Sequence, residues 1–158
     1  MAGWQLEIRD EEAGGAGHAA CGIGALQAGA LQADAPAGAL RISNIGAAEA
    51  YVRSLPASFA DSVLSLYLDG GFNLLAVDQL GPGRASDCGL KPMQLIGRGE
   101  RLGAVAFILV TYAPGRVAKA SAEESRITRE IRRAGEDVDI HLLDHLIVGR
   151  GGLIGVAA

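Results

Sequence analysis

The sequence predicts a mixed α/β fold in which a central mixed β-sheet is flanked by helices. Short apolar runs of strand length alternate along the chain with amphipathic segments of helical period, and turns containing Gly or Pro separate them. This order of elements is typical of a sheet with helices packed against it. The 158 residues are enough for one domain with a proper hydrophobic core, so we expect a single globular unit.

The first 40 residues differ in composition from the rest. Ala and Gly dominate residues 13–40, and residues 24–28 are echoed by residues 29–33. Such sequence buries little apolar surface and is costly to order, which predicts a partly flexible segment or a poorly packed helix. The alternation of Trp4, Leu6 and Ile8 leaves open an edge strand. The domain itself is predicted over residues 41–158.

The first half of this domain reads as a helix followed by a hairpin. Residues 47–55 form a short amphipathic pattern that Pro56 helps to close. Residues 62–68 are apolar on both faces, which is typical of a central strand. Residues 69–71 have turn chemistry, and residues 74–80 return as a second strand.

The second half alternates helices with strands. Residues 81–83 are predicted to be a loop, and Pro92 is placed to open a helix that runs from Met93 towards residue 102. The remaining predicted elements are a buried strand at 104–110, a loop at 111–120, an amphipathic helix at 121–134, and strands at 139–148 and 153–156 around a turn at 149–152.

Composition and charge exclude several classes of protein. The formal net charge of −4 provides no overall positive field for a phosphate backbone, so nucleic acid is an unlikely partner. Cys21 and Cys88 stand far apart, without the spacing of a disulfide framework or a structural zinc site. The N-terminus is acidic where a secretory signal would be basic, and no apolar run reaches the roughly 18 residues that span a bilayer. These features predict a cytoplasmic protein without a membrane span.

Three segments, residues 63–69 with 73–76, residues 107–110 and residues 143–149, together resemble the RadC family. Residues 63–69 and 73–76 look like the opening hairpin of that family, and residues 107–110 like the strand that leads into its His-Asn-His-Pro-Ser-Gly motif. Residues 143–149, Leu-Asp-His-Leu-Ile-Val-Gly, are similar to its Asp-His-Ile-Ile-Val-Gly signature. The likeness covers residues 42–157. It implies the JAB/MPN fold of JAMM metalloproteases, with its cytidine-deaminase-like architecture.

Active members of that fold hold zinc with two histidines and an aspartate, and they use a glutamate as general base and a serine near the oxyanion. The resemblance puts Thr111 and Ala113 at the histidine positions, where neither side chain is a useful zinc ligand. Glu124 falls at the aspartate position, Asp61 at the general base and Ser121 at the serine. The resemblance therefore implies a degenerate JAMM site, and no metal, cofactor or catalytic residue is expected.

Structural interpretations of the same residues are favoured. Ser121 and Glu124 have the spacing of a capping box, in which each side chain binds the backbone amide of the other residue. His141 and His145 are four residues apart, a separation of about 13 Å on a strand, which is too far for one ion. For His145 we favour a hydrogen-bonded histidine that fixes a strand end over a catalytic base.

Three functions remain open from the sequence. The leading prediction is a catalytically silent JAB domain, a pseudoenzyme that acts through protein contacts, either as a homodimer or with a catalytic relative. The alternative is a zinc metallopeptidase or isopeptidase that recruits Asp61, Glu124 and a nearby histidine. The third is a DNA-associated RadC-type module. It depends on a faint likeness of residues 22–24 to a helix-hairpin-helix segment. No lysine or arginine lies between Arg9 and Arg41, which counts against binding to a phosphate backbone there.

Overall fold

The computed structural model of the chain describes residues 3–4, 32–33 and 40–157. They form a mixed β-sheet with strand order β1-β3-β2-β4-β5-β6. The strands are β1 (Gln32–Ala33), β2 (Ser62–Leu68), β3 (Leu74–Pro82), β4 (Ala106–Ala113), β5 (His141–Gly149) and β6 (Gly152–Gly155). The helices are α1 (Ile45–Ser54), α2 (Pro92–Leu102) and α3 (Ala122–Glu136), with a short 3₁₀ turn at Ala57–Phe59.

The sheet is mixed, as the sequence predicts, because one of its strand pairs is parallel. Strands β4 and β5 run parallel and are connected through α3, whereas the other neighbouring strands are antiparallel. Every residue of β2 and β4 is buried. This burial explains their continuous apolar sequences, since both faces of a central strand must be covered.

Helices cover both faces of the sheet. Val52 of α1 packs on one face with Leu66, Val110 and Val148. Leu95 and Ile131, from α2 and α3 respectively, pack on the other face with Tyr67, Phe107 and Leu109. Odd-numbered residues of β4 therefore point towards α2 and α3, an arrangement that fixes the direction of Thr111.

The helix ends follow local chemistry. Asn44 caps α1 by accepting a hydrogen bond from the amide of Ala47 at 2.9 Å, and Leu55, which precedes Pro56, is extended. Pro92 is the first residue of α2, and Gly103 ends that helix in the left-handed conformation at φ +71°. The predicted helix starts are thus close to the observed ones.

Two predicted boundaries are wrong. Strand β4 continues through Thr111, Tyr112 and Ala113, which we assigned to the loop, because these residues pair with β2 on one side and β5 on the other. Strand β3 likewise continues to Pro82. Most of the Ala/Gly-rich segment 13–40, including residues 22–24, lies outside the described residues, as do Leu6 and Ile8. Its described pair Gln32–Ala33 forms β1 and pairs antiparallel with β3, where we predicted a flexible segment or a helix. Trp4 donates its amide to Ser43 O at 3.0 Å and packs against the core.

Candidate functional site

The five candidate residues belong to one region, at the sheet edge where β2 begins and β4 and β5 end. Ser62, the first residue of β2, pairs with Tyr112 of β4. On the other side of β4, Ala113 pairs with Gly149. Asp61 directly precedes β2, and α3 begins at Ala122 after the loop that follows β4. The topology thus brings all of the predicted positions to this edge.

Thr111 and Ala113 are buried at the end of β4, with 2 % and 7 % of their surface exposed. They stand two residues apart and therefore share the face covered by α3. The Thr111 hydroxyl lies 3.3 Å from Nε2 of His145 on the neighbouring strand. Thr111, which the resemblance puts at the position of the family's first histidine, is thus engaged in an internal hydrogen bond.

His145 is the centre of a buried chain of hydrogen bonds that joins β4, β5 and α3. Its Nδ1 lies 2.8 Å from the hydroxyl of Thr128, and that hydroxyl donates to the carbonyl oxygen of Glu124 at 2.7 Å. Since the Thr128 proton is used there, Nδ1 carries the imidazole proton and donates it to Thr128. Nε2 is then an acceptor, and Thr111 donates to it.

The electrostatics agree with this neutral tautomer. His145 is fully buried, and burial together with the charge of Arg132 lowers its pKa from 6.5 to about 4. The imidazole is therefore uncharged at neutral pH. His145 is hydrogen-bonded as predicted, although it lies within β5 and not at its end.

A β-bulge turns His145 towards α3. Phe107 of β4 pairs with Leu142, but the next residue, Ile108, pairs with Asp144, so β5 contains one extra residue at this point. Leu142 belongs to the α2 and α3 face, and simple alternation would place His145, three residues later, on the opposite face. The bulge restores it to the face of α3.

Ser121 and Glu124 form a capping box at the start of α3, as predicted. The Glu124 amide donates to Ser121 Oγ at 3.1 Å, and Glu124 Oε2 accepts from the Ser121 amide at 2.9 Å and its hydroxyl at 3.2 Å. Glu124 is fully buried, and its second oxygen, Oε1, has no partner among the described residues. One carboxylate oxygen is thus committed to the helix cap.

Asp61 lies at the exposed rim, apart from this buried chain. Its backbone is left-handed, at φ +54°, and its carbonyl accepts from the amide of Gly83 at 2.8 Å. The side chain is 65 % exposed, and its carboxylate lies 3.9 Å from the guanidinium of Arg116 in the loop after β4.

That loop is held against the turn between β5 and β6. The Arg150 amide donates to the carbonyl of Arg116 at 2.6 Å. A Cβ atom on Gly149 would lie 2.6 Å from both this carbonyl and the amide of Ala118, so only glycine allows the approach. The backbone of the loop is therefore fixed at its middle.

Zinc does not fit these residues. A catalytic zinc site needs three protein ligands that converge on one point, and Thr111 and Ala113 replace two of the family's three. Glu124 brings one unpartnered oxygen, but both ring nitrogens of His145, which Thr128 links to Glu124, are already hydrogen-bonded. Among residues 3–4, 32–33 and 40–157, no group of three or more His, Cys, Asp or Glu side chains is arranged to hold a metal ion.

The order Thr111, His145, Thr128 superficially matches a nucleophile, its base and the group that orients the base. Thr111 and His145 are both buried, and the lowered pKa makes His145 a weak base. The third residue is an uncharged hydroxyl already bonded to a carbonyl. The arrangement therefore acts as an internal tie between secondary-structure elements.

Sequence reasoning missed Thr128 as the partner of His145. One signal was available, because Thr128 lies four residues after Glu124 and hence on the same helix face, among positions that pack inward. The contact with His145 joins residues 17 apart and depends on the bulge in β5.

A mixed sheet with α3 between its two parallel strands, and with the candidate positions at one sheet edge, defines a JAB/MPN-type domain. The RadC-like JAB domain family matches residues 42–158, and the chain belongs to this family. Within the described part of the chain, no helix combines the length and apolar character needed to cross a membrane.

Similar proteins carry the name UPF0758. One from Bordetella parapertussis is 34 % identical over 95 residues, which are 60 % of this chain and 42 % of that protein. One from Burkholderia ambifaria is 32 % identical over 111 residues, 70 % of this chain and 43 % of the relative. One from Photobacterium profundum is 37 % identical over 89 residues, 56 % and 40 % of the two chains. The matched region thus spans about two fifths of these relatives.

Proposed function

We propose that this chain is a RadC-like JAB domain that lacks zinc hydrolase activity and acts through contacts with other proteins in the cytosol. The observation that carries the proposal is the state of Thr111, which occupies a ligand position and donates its hydroxyl to a buried neutral histidine. A neutral threonine hydroxyl is a poor zinc ligand, and the methyl group of Ala113 offers no ligand atom at all.

The rest of the edge supports the same proposal. Glu124 uses one carboxylate oxygen for the cap of α3, and Asp61 is exposed beside Arg116. The chemistry of a hydrolytic zinc site needs a held ion with one open position and a base within hydrogen-bond reach of its water. These residues are used instead for helix capping and for a surface ion pair.

Metal content tests the first half of the proposal. The purified protein, dialysed with added zinc and then without it, should contain zinc far below one equivalent, measured by plasma mass spectrometry. It should not cleave a fluorogenic lysine isopeptide. Stoichiometric zinc in the wild-type protein would overturn the proposal and favour the metallopeptidase alternative, with Asp61→Ala and Glu124→Ala as the variants that locate the ligands.

A variant with restored ligands provides the matched comparison. The double substitution of Thr111→His and Ala113→His should increase zinc retention, because it returns two imidazoles to the edge that holds Glu124. Val138→His adds a histidine at an exposed position in the turn after the C-terminal end of α3, and this variant should retain no more zinc than the wild type.

Self-association tests the second half. Sedimentation velocity over a wide range of protein concentration should show either a homodimer or a monomer that captures a defined protein partner in a pull-down with mass spectrometry. A strictly monomeric protein that captures no partner above the level of a folded control protein would count against the protein-contact function.

A further inference from the structure

An open cavity of about 170 Å³ lies beside Asp61, next to the region already described. Ala60, Asp61 and Ser62 form one wall, and Gln79, Gly81 and Pro82 of β3 form the other. Its volume has room for several water molecules or for the end of one long side chain.

Two irregularities of the backbone shape this cavity. Val63 of β2 pairs with Gly81, but the next residue, Leu64, pairs with Gln79, so Leu80 is an extra residue in β3. Such a bulge redirects the neighbouring side chains. On the opposite wall the left-handed Asp61 is tied to Gly83 through its carbonyl oxygen.

Hydrogen-bond acceptors predominate among the polar groups of the cavity. Gln79 donates one Nε2 hydrogen to Ser58 O at 3.0 Å, which orients the amide and keeps its oxygen as an acceptor. The Ser62 hydroxyl donates to Phe59 O. Asp61 contributes an exposed carboxylate, and no lysine or arginine of the described residues lines the cavity. The cavity therefore suits a positively charged donor.

Among the described residues, Arg116 is the cation that forms an ion pair with Asp61, and the pair is a poor match. The guanidinium approaches at 3.9 Å and not in its paired geometry on a carboxylate, and both side chains are more than half exposed. An exposed pair of this kind is worth little and is readily exchanged. An incoming cation can take its place at small cost.

We infer that this cavity receives a lysine side chain of a protein partner, whose ammonium group pairs with Asp61 in place of Arg116. Lysine fits better than arginine because its compact head carries three donors that can reach separate acceptors, here Asp61 and Gln79, whereas guanidinium favours one planar carboxylate. The net charge of −4 also favours a basic partner. The inference rests on the proposed function, because it names the chemistry of one protein contact.

The test is an NMR titration with a small probe. Nα-acetyl-lysine N-methylamide is added to ¹⁵N-labelled protein, and the amide signals of Asp61 and Gly83 report binding. Nα-acetyl-norleucine N-methylamide, which has no amine, is the control ligand. We expect saturable shifts with the lysine probe alone, and an affinity that falls as salt is added.

Two variants should change the affinity in opposite directions. Asp61→Asn keeps the size and tolerates the left-handed backbone, and it should weaken binding by roughly tenfold or more, because the charge is removed. Arg116→Ala removes the competing cation and should tighten binding by up to about fivefold. Asp137→Asn removes an exposed charge at the other end of α3 and should leave the affinity unchanged.

The inference is overturned if Asp61→Asn binds like the wild type, if the norleucine probe binds as tightly as the lysine probe, or if Arg116→Ala weakens binding. Zinc content and isopeptide cleavage are measured on the same samples. A zinc-free, inactive protein that ignores the lysine probe would refute this inference alone. Stoichiometric zinc would refute the proposed function, whatever the titration shows.

Discussion

Acid should destabilise this protein through His145. The imidazole is buried as the neutral form, with a pKa of about 4 against 6.5 for an ordinary histidine. As the pH falls below about 6.5, His145 binds a proton in the unfolded chain but not yet in the native one, so stability is lost with falling pH. The loss levels off below about 4, where the native state is protonated as well.

The size of the effect follows from the two pKa values. One pKa unit corresponds to about 1.4 kcal/mol, so the full difference amounts to about 3 kcal/mol. Between about pH 7.5 and about pH 4.5, most of it should be lost, roughly 2–3 kcal/mol. Burial also raises the pKa of Asp144, and this residue is present in both proteins that are compared.

The assay is urea unfolding at a series of pH values, with His145→Gln compared with the wild type. The difference between the two profiles isolates His145, because the other groups are common to both proteins. The variant should be less stable at neutral pH and should lose roughly 2–3 kcal/mol less on acidification. His141→Gln, on the same strand but half-buried, controls for the loss of a histidine as such.

Parallel profiles of stability against pH for the wild type and His145→Gln would refute this reasoning. They would mean that His145 has the same pKa in the folded and the unfolded protein. A direct observation covers the case of a variant that folds poorly. Long-range ¹H–¹⁵N spectra of the wild-type imidazole should show the proton on Nδ1 at neutral pH, and a proton on Nε2 instead would contradict the assigned hydrogen bonds.

Two further predictions concern the same edge. Thr128→Val leaves the Nδ1 proton of His145 without an acceptor and should lower the free energy of unfolding, measured in urea, by about 1–3 kcal/mol. Thr128→Ser keeps the hydroxyl and should cost clearly less. Equal costs for the two variants would mean that the hydroxyl has no role. Gly149→Ala places a Cβ atom against two backbone groups of the loop and should cost about 1–3 kcal/mol of stability, measured as a lower Tm. A Cβ atom on Gly152 meets no atom within 4 Å, so Gly152→Ala should be close to neutral. Similar Tm values for the two variants would show that the loop can shift away.

The fold was largely predictable because most elements carry local signals. Ser121, Glu124 and the helical pattern that follows them are enough to set the start of α3, and the turn at residues 69–71 sets the hairpin. The end of β4 was not predictable in this way. Thr111 and Tyr112 ended the apolar run, but pairing with two neighbouring strands and burial under α3 decide their conformation, and neither is a local property.

The sequence could supply candidate positions for a site but not the contacts between them. Resemblance to the RadC family supplied the positions of Thr111, Glu124 and Asp61, and the topology brings them to one edge. The contact between Thr111 and His145 depends on the bulge that shifts the alternation of β5, and a strand pattern does not reveal a bulge that depends on pairing. The left-handed conformation of Asp61 is likewise set by its bond to Gly83.

The proposed absence of zinc raises the question of what joins the end of β4 to α3. The resemblance to the RadC family implies that, in active members of the fold, zinc joins the positions of Thr111 and Ala113 on β4 to that of Glu124 on α3. Here Thr111, His145 and Thr128 form a continuous buried chain between the same two elements, and the chain passes through β5. Each polar side-chain atom of this chain has a partner, so the chain itself carries no penalty for unsatisfied buried groups, whereas Oε1 of Glu124 at the same edge has none. If the proposed function is right, Asp61 and Arg116 at the rim do not support a metal site, and their exposed charges are available for protein contacts.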